Sequence, residues 1–283
     1  MLGAIIGDII GSRFEFNNTS NYKFELFTEE CDFTDDTICT IAIADAIVSG
    51  KSYRDSILKW CRKYPHPMGG YGASFARWIA SDNPLPYNSF GNGAAMRVAP
   101  VAYAFDDLEE IKKQAALTAA ISHDHPEGIK GAVAVAHGIY ILRTTHDWGK
   151  FRIAMQKYYP DFVKVQPTGK FDETCQGTVP LCLKTVLLSY SFEDAIRNAI
   201  SSGGDSDTIG AIVGALAEAQ FGVPKEIREK AFELLPAEML NVIGDFFHLL
   251  NQRRLLNDNI EWKRKSICLS ASITKAKRNA QKM

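Results

Sequence analysis

The chain has 283 residues, of which 46% are hydrophobic, and a formal net charge of −1. That composition excludes disorder over most of the length, and no apolar run approaches a membrane span. Six scattered cysteines without a C-x-x-C pair exclude a zinc site and a disulfide scaffold, and fit reduced core thiols in a cytoplasmic protein.

The N-terminal run from Met1 to Ile10 has no basic residue and is interrupted by Asp8, so it does not read as a signal peptide. Gly3, Gly7 and Gly11 recur at i, i+4 and i+8, which places them on one face of a first helix and lets another backbone approach. Glu15 follows between two phenylalanines, and residues 22–27 are short and extended. Thr34-Asp35-Asp36-Thr37 then opens a helix over 37–48 that ends at Ser49-Gly50. Helices are expected at 53–63 and 72–81, separated by a Pro- and Gly-rich loop at 64–71. A second loop, 82–93, ends in Ser89-Phe90-Gly91-Asn92-Gly93 and enters an apolar helix with Arg97 one turn in.

Helices at 108–121, 127–143 and 147–158 come next, with Asp124 and Glu127 as a capping pair for the second. Residues 163–166 read as extended. Helices at 179–189 and 192–201 follow, the latter capped by Ser191 with Asp194. Gly203-Gly204-Asp205-Ser206-Asp207-Thr208 opens a helix over 208–221, in which Gly210, Ala211, Gly214, Ala215 and Ala217 form a second small-residue region. Two central helices that pack closely through these residues would bring Asp8 and Asp207 into one neighbourhood. Helices at 225–235 and 237–251 complete the body. From Trp262 onward there are seven Lys or Arg and no acid, leaving about −8 on the rest of the chain. No alternating strands with hairpin turns occur. The expected fold is all-α, a compact single-domain orthogonal helical bundle over residues 1–255, with a basic tail over 256–283.

Two short acidic segments carry the chemical information. Each crowds two carboxylates and a neighbouring hydroxyl against a helix start, at Thr34–Thr37 and at Asp205–Thr208. Carboxylates brought together repel, more so in a low-dielectric interior, and a cation between them removes the cost. Asp and Thr oxygens are hard ligands suited to Mg²⁺ or Mn²⁺, and a hydroxyl completes coordination without adding charge. The alternative is that the aspartates are ordinary N-caps. In the Ser89–Gly93 loop, Gly91 and Gly93 allow close backbone approach to a ligand, and Arg97 would attract phosphate. His123 and His125 bind a ligand or cap the next helix. Glu15, desolvated between aromatic rings, is a candidate general base or a group that steers water.

Taken together these segments resemble the ADP-ribosylglycohydrolase family. The resemblance rests on Gly7-Asp8-x-x-Gly11-Ser12-x-x-Glu15-Phe16, Thr34-Asp35-Asp36-Thr37, Gly91-Asn92-Gly93-Ala94-Ala95-Met96-Arg97, His123-x-His125-Pro126 and Gly204-Asp205-Ser206-Asp207-Thr208, in that order. It implies an all-α domain with a dinuclear Mg²⁺ or Mn²⁺ centre whose ligands are Thr34, Asp35, Asp36, Asp205, Asp207 and Thr208. It also implies Glu15 as the active-site glutamate, with Asp36 or Asp205 the other candidates for managing the proton. Ser89, Phe90, Gly91, Asn92, Gly93 and His123 would contact diphosphate and ribose, Phe90 stacking on the adenosine side. The implied reaction is cleavage at C1″ of an ADP-ribosyl group on a protein, a nucleic acid or a small molecule, by a monomer away from membranes. The acceptor pocket is expected from loops around 17–30, 64–75 and 160–178. A non-catalytic, crystallin-like ADP-ribose binder and a metal-dependent nucleotide phosphatase are the alternatives.

Overall fold

A computed structural model describes residues 1–255, and the basic tail expected at 256–283 lies outside the described residues. The first half contains α1 (Leu2–Gly11), α2 (Asp35–Ser49), α3 (Tyr53–Lys63), α4 (Ala73–Ala80), α5 (Gly93–Met96), α6 (Ala99–Ala104) and α7 (Leu108–Ala120). The second contains α8 (Pro126–Thr145), α9 (Trp148–Met155), α10 (Cys175–Leu187), α11 (Phe192–Ser201), α12 (Ser206–Phe221), α13 (Lys225–Glu233) and α14 (Ala237–Leu255). Among the described residues there is no strand, only isolated bridges such as Thr34 with Met68 and Gly91 with Thr174. The all-α expectation is therefore met. No described helix is long and apolar enough to cross a membrane.

Helix starts follow local chemistry. Ser52, Asp107, Thr174 and Ser191 each accept from a backbone N–H three residues on, filling donors that the first turn leaves free. Gly50 ends α2 at a φ of +69°, where a β-carbon would be strained. Several boundaries differ from expectation. Helix α8 is capped by His125, whose Nδ1 accepts from Glu127 N, because Pro126 occupies the first helical position; Asp124 instead accepts from Asn88 N. Helix α10 starts at Cys175 rather than 179, since the Thr174 cap nucleates it and leaves Pro180 inside. Residues 162–164 form a 3₁₀ turn in place of an extended piece, and 22–27 is irregular. The apolar helix after the Gly-Asn-Gly loop is split into α5 and α6.

The centre of the fold is the antiparallel pair α1 and α12. A β-carbon on Gly7 would overlap the Gly210 carbonyl, and one on Gly210 would overlap the Gly7 carbonyl, so the two backbones touch. At one end, Glu218 of α12 accepts from Gly3 N (2.9 Å). At the other, Gly11 packs on Ser206 and Asp207, which sets the start of α12 beside Asp8. Helix α8, rich in alanine and glycine, packs against α12, while α2 is flanked by α3 and α14.

Candidate functional site

Asp8 organises the first acidic segment. Fully buried on α1, it accepts from Thr34 N (3.1 Å), Thr34 Oγ (2.7 Å) and Thr37 N (3.0 Å). It thus satisfies the first donors of α2 from another helix. Thr34 is the N-cap, its Oγ accepting from Asp36 N at 3.2 Å, so neither Asp35 nor Asp36 serves as the cap. Asp205 occupies the N-cap position of α12 but makes no capping bond. The carboxylates of both segments are thereby left for another purpose.

The two segments meet. Thr208 Oγ donates to Asp36 Oδ2 at 3.2 Å, joining the starts of α2 and α12. One oxygen each from Asp35, Asp36 and Asp207 lies within 4.8 Å of the others, as does one each from Glu15, Asp205 and Asp207. Asp207 is common to both groups. Although Asp36, Asp205 and Asp207 are buried, Asp36 Oδ1, Asp207 Oδ1 and Glu15 Oε2 have no hydrogen-bond partner among the described residues. Orphaned buried carboxylate oxygens are costly, and the acids that carry them belong to these two groups. The donor set, all hard oxygen with hydroxyls alongside, fits divalent cations bound there.

The electrostatics agree. Burial, and next the Asp207 charge, push the Asp8 carboxyl up to about 7. Burial, then Asp207 and Asp8, push Glu15 up to about 8. Asp35, Asp36 and Asp205 are raised well above the carboxylate range by burial first and neighbouring charge second, and Asp207 is raised by burial. Without cations these groups hold protons that a bound metal would displace.

A cleft of about 590 Å³ opens over the acids and brings together Glu15, Asp35, Asp36, Asp205, Asp207, Thr208, Ser89 to Gly93 and His123. Thr34 lies buried beside it, its Oγ donating to Asp8 Oδ1 and accepting from Asp36 N. The Gly-Asn-Gly loop is pinned to a neighbouring segment by Asn92 N donating to Glu173 O (2.7 Å) and Cys175 N donating to Phe90 O (2.9 Å). Asn92 also donates to Asp205 Oδ2 at 2.6 Å, tying that loop to the acidic centre. Phe90 is exposed with its ring against His125, while Phe16 and Phe171 stack at 5.8 Å on the rim.

Two sequence expectations change here. Arg97 borders the cleft but is fully buried rather than an extended ligand arm, its Nη2 donating to Thr118 O and Ser122 Oγ. Of the three loops expected around the acceptor, 64–75 and 160–178 contribute to the cleft but 17–30 does not. Asn18 instead braces the site from behind, accepting from Gly204 N and donating to Gly204 O. The supporting roles of Asp8, Asn18, Asn92 and Gly69, whose Cα abuts the Glu15 carboxylate, had no local sequence signal beyond the grouping of Asp8 with Asp207.

The family model described as ADP-ribosylglycohydrolase matches residues 1–256. The chain is 25% identical over 174 residues to mouse (Mus musculus) ADP-ribosylhydrolase ARH3, a match covering 50% of this chain and 47% of that protein. It is 22% identical over 247 residues to the ADP-ribosyl-dinitrogen reductase glycohydrolase of Rhodospirillum rubrum, covering 78% of this chain and 84% of that one. Thus the chain spans about half the length of the first of these relatives and most of the second. A solved structure titled ADP-ribosylglycohydrolase-related protein complex shares the fold with a TM-score of 0.69 at 21% identity, over 88% of this chain and 97% of that one. With the family match running through every segment that builds the acidic cleft, the chain belongs to the ADP-ribosylglycohydrolase family.

Proposed function

We propose that this protein hydrolyses the C1″ glycosidic bond of ADP-ribosyl groups, releasing ADP-ribose and the free acceptor, with two Mg²⁺ or Mn²⁺ ions as cofactors. The observation that carries this reading is the meeting of two acidic helix starts, with unpartnered buried carboxylate oxygens, on the floor of one cleft. Asp35, Asp36 and Asp207, with Thr34 and Thr208, would hold one ion; Asp205 and Asp207, beside Glu15, would hold the other. When bound, such ions supply the positive charge that offsets the carboxylates and orients ribose hydroxyls and a water.

The remaining chemistry falls to the chain. Ser89 to Gly93 and His123 hold the diphosphate and inner ribose, fixing C1″ over the acids, and Phe90 stacks on the adenosine side. The acidic floor favours the positive charge that develops on the ribose as the bond to the acceptor breaks. Glu15 Oε2, buried and unpartnered among the described residues, takes the proton of the attacking water, which passes on to the departing acceptor, with Asp36 and Asp205 fixing the electrostatics around it. Gly69 to Phe75 and the Phe16–Phe171 pair line the side from which the acceptor enters. The acceptor is an ADP-ribosylated protein, nucleic acid or small molecule, a protein being the class carried in the name of the Rhodospirillum relative. Residues 1–255 form the working domain, and the unbridged buried thiols support a reducing, cytoplasmic setting.

The test is a panel of acceptors ADP-ribosylated on arginine, serine, a nucleic-acid base or a small ester, incubated with Mg²⁺ or Mn²⁺ and with chelator. Free ADP-ribose from at least one acceptor, lost in chelator, is expected. Release of phosphate instead would overturn the reading in favour of a phosphatase. Affinity for ADP-ribose without turnover on any acceptor would make the protein a binder.

A further inference from the structure

Beneath the Gly-Asn-Gly loop, a cation is buried without a carboxylate partner among the described residues. Arg97 is 0% exposed; its Nη2 donates to Thr118 O at 2.8 Å and Ser122 Oγ at 2.9 Å, while Nε and Nη1 have no partner. Ser122 Oγ, also 0% exposed, lies 2.8 Å from His123 Nδ1. Since Ser122 Oγ already accepts from Arg97, its proton needs an acceptor, and among the described residues His123 Nδ1 is the one within reach. A hydroxyl that donates to Nδ1 requires that nitrogen to be unprotonated, so in the neutral ring the proton resides on Nε2.

Nε2 points the other way. A β-carbon on Gly93 or Gly91 would come within 3.0 or 3.4 Å of it, so it lies against the loop that walls the cleft. No hydrogen bond from Nε2 to the protein occurs among the described residues. The ring is held by its own backbone, His123 N donating to Ala119 O at 2.8 Å, and by Phe75 and Tyr87 on its flanks. Burial, and then the Arg97 charge, keep the imidazole neutral by lowering its pKa well below the usual value. This feature deepens the proposed function and rests on it: a neutral imidazole with its proton on Nε2 presents one fixed donor to a phosphate oxygen in the cleft.

We propose that Arg97 and Ser122 are positioning residues that lock His123 in its Nε2–H tautomer, so that Nε2 donates to a phosphate oxygen of the bound ADP-ribosyl group at the Gly91–Gly93 loop. Arg97 acts twice, by filling the Ser122 lone pair and by adding unneutralised positive charge behind the loop. No proton is transferred; the relay orders donors only.

The experiment uses the full chain in Mg²⁺ with ¹⁵N-labelled histidine and ADP-ribose as the probe. Long-range ¹H–¹⁵N correlation of the His123 ring reports its tautomer, and calorimetry reports ADP-ribose affinity. The wild-type ring is expected to be Nε2–H at neutral pH. Ser122→Ala is expected to produce a tautomer mixture and to weaken ADP-ribose about tenfold, the size of one hydrogen bond. Among variants of the ring itself, His123→Gln, whose amide donates from near the Nε2 position, should retain more affinity than His123→Asn. The dispersed amide spectrum of each variant confirms folding in the same sample. A wild-type ring protonated on Nδ1 overturns the relay, as does unchanged tautomer and affinity in Ser122→Ala. If the ring is Nε2–H but ADP-ribose does not bind, the ligand reading fails instead, so the two failures are distinguishable.

Discussion

Asp36 concentrates the conflict on which the site is built. Its backbone N–H is capped by Thr34 and one oxygen accepts from Thr208, yet Oδ1 is buried with nothing to accept from. Replacing Asp36 with a neutral isostere should remove the cost of keeping it protonated among other acids and remove a ligand together. Asp36→Asn is expected to raise the melting temperature of the metal-free protein by about 2–4 °C and to lower metal-dependent ADP-ribose release by about 10³-fold. Thermal melts in chelator and a product assay check both halves, and a melting temperature below wild type would contradict that cost. Glu15 is held differently. Gly69 has a φ of +76° and no room for a side chain, because a β-carbon there would overlap the Glu15 carboxylate. Gly69→Ala should cost about 1–2 kcal/mol from the left-handed backbone alone. It should also lower kcat by about 10²-fold through displacement of Glu15. ADP-ribose affinity, measured by calorimetry, should stay near wild type, because a β-carbon on Gly69 meets Glu15 and not the Gly91–Gly93 loop.

Between elements, the contact of α1 with α12 sets everything else. It fixes where Asp207 meets Asp8, and Asp8 in turn holds the start of α2. Gly210→Ala inserts a β-carbon into the Gly7 carbonyl and should destabilise by about 1–3 kcal/mol or more in urea denaturation. It should weaken Mn²⁺ binding as well, because separating the helices separates the acids. Gly50→Ala is the control: it is strained at the end of α2 but has open space around it, so it should lose some stability and keep Mn²⁺ affinity. Equal Mn²⁺ affinities in wild type and Gly210→Ala would remove the helix contact from the explanation. The spacing of Gly3, Gly7 and Gly11 made this pair legible from sequence, because backbone approach needs small residues at helical period. Helix boundaries were less legible. The helix expected from 179 begins at Cys175 with Pro180 inside it, since the Thr174 cap and the packing of the whole helix outweigh one lost bond. Asp124 has the chemistry of a cap, yet Pro126 assigns that position to His125.

Across the whole molecule, the site couples stability to pH. An acid whose folded pKa lies above its unfolded value near ~4 binds its proton more tightly when folded. Such a group lowers stability as pH rises past that unfolded value, and the loss is complete once pH passes the folded one. With Asp8 at about 7 and Glu15 at about 8, the metal-free protein should lose stability progressively from about pH 4 to about pH 8. Metal competes with those protons, so saturating Mg²⁺ should raise the melting temperature more at pH 8 than at pH 5. Equal stabilisation at both pH values would contradict this coupling. The two acidic segments were readable because each is contiguous in sequence. The braces that join the halves were not: Asn92 reaches Asp205 across 113 residues and Asn18 reaches Gly204 across 186, and no local pattern announces either. For the same reason Arg97 read as a phosphate arm, because nothing near it in sequence discloses that Thr118 and Ser122 would claim it.

The two acidic helix starts make one claim above all others, that they form a single divalent-cation centre sharing Asp207. Anomalous diffraction from crystals soaked in Mn²⁺ tests it most directly. Two peaks about 3.5–4 Å apart between the starts of α2 and α12 are expected. Both should be weakened in Asp207→Asn. Absence of any peak there, in a protein that still releases ADP-ribose in chelator, would contradict it.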